Sequence, residues 1–327
     1  MPPPDAVAGI PIFPIKAYHS YLRVTQIEAT EAGLSFVFEA HRFSPHLALT
    51  LEGNETHWVL EATYTAQMAP AAAPAGFPRP ELFFVGEVSN EIHSFGEMQI
   101  GWVAPLLRKA TIEIDCVPES EPPLNNGVGA SWRSVFESVG WDVTAAASDS
   151  DVTKPDGPVW TATDAHRALL ARRDPCDLDA EWRYHVLAVQ FINHPDGERG
   201  VMYDKGSDDI NKVPREDVLV SSHYVFPANE ARWGDLRGKR TATTVAYFRT
   251  AVHEMGHAMG LDHDSHGTGF MRPTVEIASD GGTSFPSNIT WSFSPETERQ
   301  LRHWPDIVVR PGGLVWGAGP GAPLGGM

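Results

Sequence analysis

The residue pattern that most constrains this chain lies in its last third and reads His253-Glu254-x-x-His257-x-x-Gly260-x-x-His263. Residues four apart share one face of a helix, so His253 and His257 can hold one ion between them. Gly260 favours the left-handed conformation that ends a helix, after which the chain can bring back His263 as a third ligand. Neutral imidazoles suit Zn²⁺, and three protein ligands with one open position are typical of a catalytic zinc site.

Glu254 is not expected to ligate the ion. It follows His253 on the predicted helix and would point at the water in the open position, where a general base belongs. Two residues beyond the third histidine leave alternatives open. His266 is a rival third ligand, although the register favours the earlier histidine, and Asp264 is either a residue that orients a ligand or a plain turn residue.

The stretch from Thr250 to Pro273 resembles the metzincin clan of zinc endopeptidases, which carries the elongated motif and a methionine turn. Met271 lies eight residues after His263, and Pro273 follows two residues later, as in the matrixin (matrix metalloproteinase) pattern. Asp264 is closer to the adamalysin pattern, but the cysteine-rich surroundings of adamalysins are absent. The resemblance implies that Met271 forms an apolar base beneath the zinc. Astacins and serralysins have a tyrosine where Pro273 stands, so no tyrosine ligand is expected.

The resemblance also implies an α+β catalytic domain over residues 106–308, with a twisted mixed sheet, an active-site helix and a small C-terminal subdomain. Hydrophobic periodicity places its elements in the family's order. The predicted strands are Ala110–Cys116, Trp141–Ala145, Tyr184–Ile192, Gly200–Asp204 at the edge, and Val218–Val225. The predicted helices are Ser131–Val139, Thr161–Arg173 as an insertion, an active-site helix that starts near Thr241 or Thr243, and Pro295–His303.

The remaining residues fall into three segments: a Pro-rich leader at 1–15, a β-rich and sandwich-like accessory domain at 16–105, and a disordered Gly/Pro-rich tail at 309–327. Short runs rich in β-branched and aromatic residues predict the strands of the accessory domain. These runs are Tyr21–Ile27, Leu34–Phe38, Leu47–Leu51, His57–Tyr64, Leu82–Val88 and Met98–Val103. Its aromatic residues are interpreted as core rather than as a glycan-binding platform, because strand aromatics usually pack inward. They are Trp58, Phe83, Phe84 and Trp102.

The amino-acid composition argues against some classes of binding partner. The 42 acidic and 25 basic residues give a net charge of −17, which argues against nucleic acid and anionic membranes as partners. Acidic clusters can hold Ca²⁺, and a calcium site near Asp204, Asp208 and Asp209 is a weaker alternative to a solvated acidic loop. No apolar run approaches the ~20 residues that span a bilayer.

The sequence gives conflicting signals for cellular location and allows more than one state of the two cysteines. The first residues lack the basic and apolar regions of a secretory signal peptide, whereas the family resemblance favours an exported protein. Cys116 and Cys176 allow at most one disulfide, and two unpaired thiols are preferred over a bridge or a zinc-blocking role.

These observations predict a zinc-dependent endopeptidase that acts on protein or peptide, with one catalytic Zn²⁺ and Glu254 as general base. Two alternatives remain: a protease toxin or effector targeted by its β domain, and a zinc-stabilised binding module without turnover, against which the intact Glu254 argues. In matrixins, the segment after the methionine turn forms one wall of the pocket for the residue that follows the scissile bond. Val275 stands there in place of an aromatic residue, which predicts an apolar pocket.

Overall fold

The protein is described here by a computed structural model. It describes residues 20–30, 32–43, 58–154, 156–178, 181–194, 197–204, 211, 213–280, 285–304, 306–313 and 315–316. Two compact units are present, one within Pro14–Pro105 and the other within Leu106–Ala322. The predicted strand Leu47–Leu51 lies outside the described residues.

The first unit is β-rich, as predicted. Its strands are β1 (Ser20–Thr30), β2 (Gly33–Phe43), β3 (Trp58–Pro70), β4 (Phe83–Ser89) and β5 (Ser94–Gly101). They form one antiparallel meander in the order β1-β2-β3-β4-β5. In β2, Phe36, Phe38 and Ala40 are buried at alternate positions, as expected of a strand with one covered face. Among the residues described in this unit there is no second sheet, which the predicted sandwich would require.

The aromatic residues of this unit have different environments. Phe83 is buried and packs edge-on against Phe77, which agrees with its assignment to the core. Trp102 is exposed, and the Arg79 guanidinium lies 5.4 Å from its ring centroid. The side chain of Trp58 lies outside the described residues. Glycan binding by this unit has no support.

The second unit is built on a mixed five-stranded sheet. Its strands are β6 (Arg108–Cys116), β7 (Trp141–Ala147), β8 (Val159–Trp160), β9 (Arg183–Val189), β10 (Phe191–Ile192), β11 (Gly200–Val201) and β12 (Asp217–Ser221). The order in the main sheet is β11-β12-β9-β6-β7, and β8 pairs separately with β10. Only β11 is antiparallel to its neighbour in the main sheet. β9 lies at the centre and is buried along nearly its whole length, as its continuous apolar sequence predicts.

Six α-helices accompany this sheet in the described part of the unit. They are α1 (Trp132–Glu137), α2 (Ala162–Arg172), α3 (Val245–Ala258), α4 (Thr274–Ser279), α5 (Pro295–His303) and α6 (Asp306–Val309). Ser131 and Thr161 cap α1 and α2 through reciprocal capping boxes, and Ser294 caps α5. The active-site helix begins later than predicted. Thr241–Thr243 form a separate 3₁₀ turn, and α3 begins at Val245.

The two faces of the sheet carry different helices. α3 packs against β12 on one face, and its residues are buried from Ala246 to Ala258. On the other face, α2 packs against β9 and β12, with Leu169 in a cluster that includes Leu187 and Leu219. Among the described residues, no helix is long and apolar enough to cross a membrane. Cys116 and Cys176 are both free.

The segment after α5 is part of the second unit, although the sequence predicts a disordered tail from residue 309. Val308, Val309 and Arg310 are buried. Arg215 fixes this segment by donating one hydrogen bond to Ala258 O at 2.9 Å and another to Arg310 O at 3.1 Å. A buried guanidinium therefore ties the segment to the C-terminal end of α3.

Candidate metal centre

Three histidines converge at the end of α3. His253 and His257 lie one turn apart on the helix, and Gly260 ends it with a φ of 85°. His263 then returns to the helix. The three Nε2 atoms are 3.1–3.3 Å apart: 3.2 Å from His253 to His263, 3.3 Å from His253 to His257 and 3.1 Å from His257 to His263.

This triad fits a zinc ion. Bonds of about 2.0–2.1 Å at tetrahedral angles separate two ligand nitrogens by roughly 3.3 Å. The Nδ1 atoms of His253 and His257 lie 2.6 Å from Phe270 O and 2.8 Å from Leu261 O, so each Nδ1–H donates to a carbonyl and leaves Nε2 as an acceptor. Two of the three nitrogens are thereby fixed as acceptors, and the three face one point, as the ligands of one cation would.

The charge state of the imidazoles agrees with this assignment. Burial lowers the pKa of His257 to about 4. Burial lowers the pKa of His253 well below its ordinary value, with His257 and Arg249 adding to the effect. Burial also lowers the pKa of His263. The neutral form, which is the one that binds a metal, is therefore favoured at neutral pH.

Glu254 lies beside the triad and is buried. Its Oε2 accepts a hydrogen bond from Met202 N at 3.0 Å, at the end of the edge strand β11. Burial raises the pKa of Glu254 to about 8, against the opposing effects of this hydrogen bond and of Arg199. Gly200 is in close contact with this side chain, since a Cβ there would be 2.7 Å from Glu254 Cγ.

The methionine turn is held to α3 by Arg249. This arginine is fully buried on the helix and donates to Thr274 Oγ1 at 2.9 Å, Gly269 O at 2.7 Å and Phe270 O at 3.0 Å, and it also bonds Arg272 O. Phe270 O is the same carbonyl that faces His253 Nδ1. One guanidinium therefore positions both the turn and a carbonyl that orients a histidine. Arg249 lies four residues before His253, on the same face of the helix, but no motif in the sequence indicates this role.

A cleft of about 320 Å³ opens beside the histidines. The edge strand and the residues before it form one side, and the start of α4 forms another. Its lining residues are Gly197, Glu198, Arg199, Gly200, Thr250, His253, Glu254, His263, Pro273, Thr274 and Val275. The open cleft, the triad and the buried carboxylate thus share one site.

The two neighbouring residues with alternative roles, His266 and Asp264, lie apart from the three imidazoles. His266 is exposed and is not in the histidine group, which consists of His253, His257 and His263. Asp264 accepts a hydrogen bond from Ser294 Oγ, the cap of α5, at 2.9 Å rather than from an imidazole. Asp264 therefore has the position of a residue that connects the turn to the next helix.

The suggested calcium site has no support. Asp204 is buried, and its Oδ2 accepts a hydrogen bond from Glu216 N at 2.7 Å. Asp208 and Asp209 lie outside the described residues.

Trp316 is a neighbour of the triad that the sequence did not indicate. Its ring lies edge-on to the imidazole of His257, with centroids 6.1 Å apart. The sequence assigned this residue to the tail, and only the buried segment before it brings the ring to the metal centre.

A second buried group of charged residues lies on the sheet face opposite α3. His185 Nε2 is 2.9 Å from Asp115 Oδ2, and His185 Nδ1 is 3.0 Å from Asp217 Oδ1. Burial opposes protonation, but Asp217 and Asp115 outweigh it and raise the pKa of His185 to about 10. Glu113 is near enough to complete a possible metal-binding group with Asp115 and His185. Because carboxylates already face both ring nitrogens, we interpret the cluster as a structural ion cluster around a charged imidazolium.

Comparison with known proteins agrees with this geometry. The matrixin family model matches residues 145–300, which include the three histidines, Glu254 and Met271. Residues 145–300 are matrixin-like. The resemblance to the metzincin zinc metallopeptidases is thereby confirmed.

The other comparisons are less informative. One solved structure that resembles the chain is metalloproteinase-II from Bacteroides fragilis, with 10% sequence identity, a TM-score of 0.31 and coverage of 86% of each chain. A TM-score of this size does not establish a shared fold. No curated protein matches the chain.

Proposed function

We propose that this matrixin-like chain is a zinc-dependent endopeptidase in which His253, His257 and His263 hold the metal and Glu254 is the general base. One observation carries the proposal: three imidazole acceptors converge beside a buried carboxylate in an open cleft. Zinc bound there would polarise the scissile carbonyl and lower the pKa of a water molecule to near neutrality.

Glu254 has the geometry of a proton carrier. Its Oε2 is held by the backbone N–H of Met202, which leaves Oε1 for the attacking water. A zinc ion held by the three histidines would favour the charged form of the adjacent carboxylate and lower its raised pKa again. In the proposed reaction, Glu254 then accepts a proton from that water as the water attacks the scissile carbonyl. The same carboxyl group then delivers the proton to the leaving amine, so a single residue is general base and then general acid.

The substrate is positioned by the edge strand. β11 is the last strand of its sheet, and Gly200 on this strand lines the cleft. An extended peptide can add to such an edge through main-chain hydrogen bonds. Glu254 contacts the same strand through Met202, so strand pairing would place the scissile bond next to the base.

The test is cleavage of a denatured protein by the zinc-loaded full chain, with and without a chelator, and by Glu254→Gln. Glutamine has nearly the same shape but cannot accept a proton at neutral pH. We expect Glu254→Gln to lose activity by about 10²–10⁴-fold or more, since general-base catalysis typically contributes that much. The zinc content should not change, because the three histidines make all the proposed protein–metal bonds.

Glu137→Gln is the matched control. Glu137 is an exposed glutamate on α1 that pairs with Arg133 and does not line the cleft. It should retain parental activity. If Glu254→Gln cleaves as fast as the parent with equal zinc content, the proposed mechanism is wrong. If zinc-loaded parent cleaves nothing, the chain is a binding module rather than an enzyme.

A further inference from the structure

Arg199 contributes a positive charge to the active-site cleft. It lines the cleft immediately before the edge strand β11. Its backbone carbonyl accepts a hydrogen bond from Ser221 N at 2.8 Å, which fixes its Cα beside β12. The side chain therefore starts from a rigid position beside the site where the substrate is proposed to bind.

Three aromatic rings hold the guanidinium. Its carbon lies 5.0 Å from the ring centroid of Trp233, 5.6 Å from that of Tyr224 and 6.0 Å from that of Phe226. These distances fall within the range of cation–π attraction. The rings leave the side chain few alternative positions, so little conformational entropy would be lost when it binds an anion.

In the described part of the chain, the guanidinium of Arg199 has no close carboxylate partner, although Tyr224 hydrogen-bonds its side chain and the more distant charge of Glu254 attracts it. Among the described residues, no carboxylate lies within 4.0 Å of its guanidinium. Burial lowers the pKa of Arg199, although an arginine remains protonated at physiological pH. A partly desolvated cation that faces a cleft and has no carboxylate partner is suited to bind an anionic group of the substrate.

The position of Arg199 relative to α4 indicates which part of the substrate it meets. Tyr224, Phe226 and Trp233 pack in one cluster with Ile277 and other residues of α4. Val275, at the start of that helix, lines the cleft together with Arg199. The sequence predicts an apolar pocket from Val275. In the structure, this apolar residue shares the cleft with the cation of Arg199.

Resting on the proposed peptidase function, we infer that Arg199 selects substrates with an acidic side chain, aspartate or glutamate, directly after the scissile bond. A carboxylate in this pocket forms a charge-assisted hydrogen bond with the guanidinium, whereas an amide of the same shape forms only a weaker one. Arg199 is therefore a specificity-determining residue, distinct from the metal ligands and from Glu254.

Glu198 and Glu254 are the carboxylates that line the same cleft. Glu254 is proposed to face the attacking water, and Arg199 lies near enough to attract its charge. Glu198 is exposed, and its Oε2 accepts a hydrogen bond from Asn193 Nδ2 at 3.0 Å. The net charge of −17 is spread over the chain, and solvent ions screen exposed charges beyond ~8 Å at physiological salt. The charge nearest to the bound side chain decides its preference.

The experiment begins with the zinc-loaded full chain and a degenerate peptide library, which locates the scissile bond. Matched peptides that carry Glu, Gln, Leu or Lys at the following position are then compared by kcat/KM. We expect the Glu peptide to exceed the Gln peptide by at least tenfold, which corresponds to about 1.4 kcal/mol. The Lys peptide should be cleaved most slowly.

Two variants assign the preference to Arg199. Arg199→Gln should bring the Glu/Gln ratio to near one, and Arg199→Glu should favour the Lys peptide over the Glu peptide. Arg232→Gln is the control, because its guanidinium lies 5.2 Å from the same Trp233 ring but is exposed, pairs with Glu230 and does not line the cleft. It should keep the parental ratio. Zinc content and thermal unfolding show whether each variant is folded.

The outcomes separate the two proposals. A parent that cleaves the Gln peptide as fast as the Glu peptide overturns the inference and leaves the peptidase function standing, whether or not any variant folds. An acidic preference that persists in a folded Arg199→Gln also overturns it. A zinc-loaded parent that cleaves no peptide overturns both proposals.

Discussion

Gly256 of α3 lies directly against Met271 of the methionine turn, so closely that a Cβ on Gly256 would be 2.3 Å from Met271 Sδ and 3.0 Å from its Cε. A glycine inside a helix costs roughly 0.5–1 kcal/mol relative to alanine. Here it allows the thioether to pack against the helix between the positions of His253 and His257. The apolar base expected from the family resemblance thus depends on a glycine within the histidine motif.

We therefore expect Gly256→Ala to be destabilised by about 1–3 kcal/mol, the usual effect of overpacking a core, and to bind zinc more weakly. Urea unfolding and zinc titration measure the two effects. The double variant Gly256→Ala/Met271→Ala removes the clashing thioether and should recover part of the loss caused by Gly256→Ala. If the two substitutions are simply additive, the close contact is not the cause.

The assignment of the third ligand gives the second prediction. His263→Ala removes one of the three converging imidazoles, so the purified variant should lose its zinc. His266→Ala is the control, since His266 is exposed and lies outside the group, and it should keep one zinc per chain. Metal analysis that finds zinc in His263→Ala and none in His266→Ala would reverse the assignment.

Arg249 provides the third prediction. Arg249→Met leaves the carbonyls of Gly269, Phe270 and Arg272 without this donor, and we expect a loss of about 1–3 kcal/mol, the usual cost of buried polar groups that lose their hydrogen-bond donor. Arg133→Met is the control, because Arg133 and its partner Glu137 are both exposed on α1 and such pairs contribute about 0–1 kcal/mol. Urea unfolding compares the two, and equal losses would mean that Arg249 does not hold the turn.

Local signals in the sequence predict much of the second unit. Ser294 followed by Pro295 predicts α5 with the bounds that the structure has, because a cap and a proline at the first position define a helix start. The continuous apolar run of β9 predicts its central place in the sheet. The spacing of His253, His257 and His263 predicts that their imidazoles converge, because this convergence requires only one helix and one turn.

Features that depend on distant residues were not predictable in this way. Arg199 acquires its role from aromatic rings that come later in the chain, and no local pattern marks it as a cleft residue. α4 is short and has no side-chain cap, so no local pattern predicts it. The backbone of Met202 bonds Glu254 only because the sheet brings the edge strand to α3.

The buried ion cluster gives the last prediction. His185 has a pKa of about 10 in the folded chain, against about 6.5 when unfolded. A raised pKa means that the folded state binds the proton more tightly. This contribution to stability is therefore complete below pH 6.5 and is lost as the pH rises towards 10. We expect the free energy of unfolding to fall across this window.

Asp115→Asn removes one of the two carboxylates that face His185. The pKa of His185 should fall, so the loss of stability should begin at a lower pH than in the parent and should be smaller in total. Arg172 pairs with exposed Asp151 at 3.2 Å, which makes Asp151→Asn a surface control that should leave the pH profile unchanged. Urea unfolding between pH 6 and pH 10 measures all three proteins. A parental stability that does not change with pH in this range would mean that His185 is not charged in the folded protein.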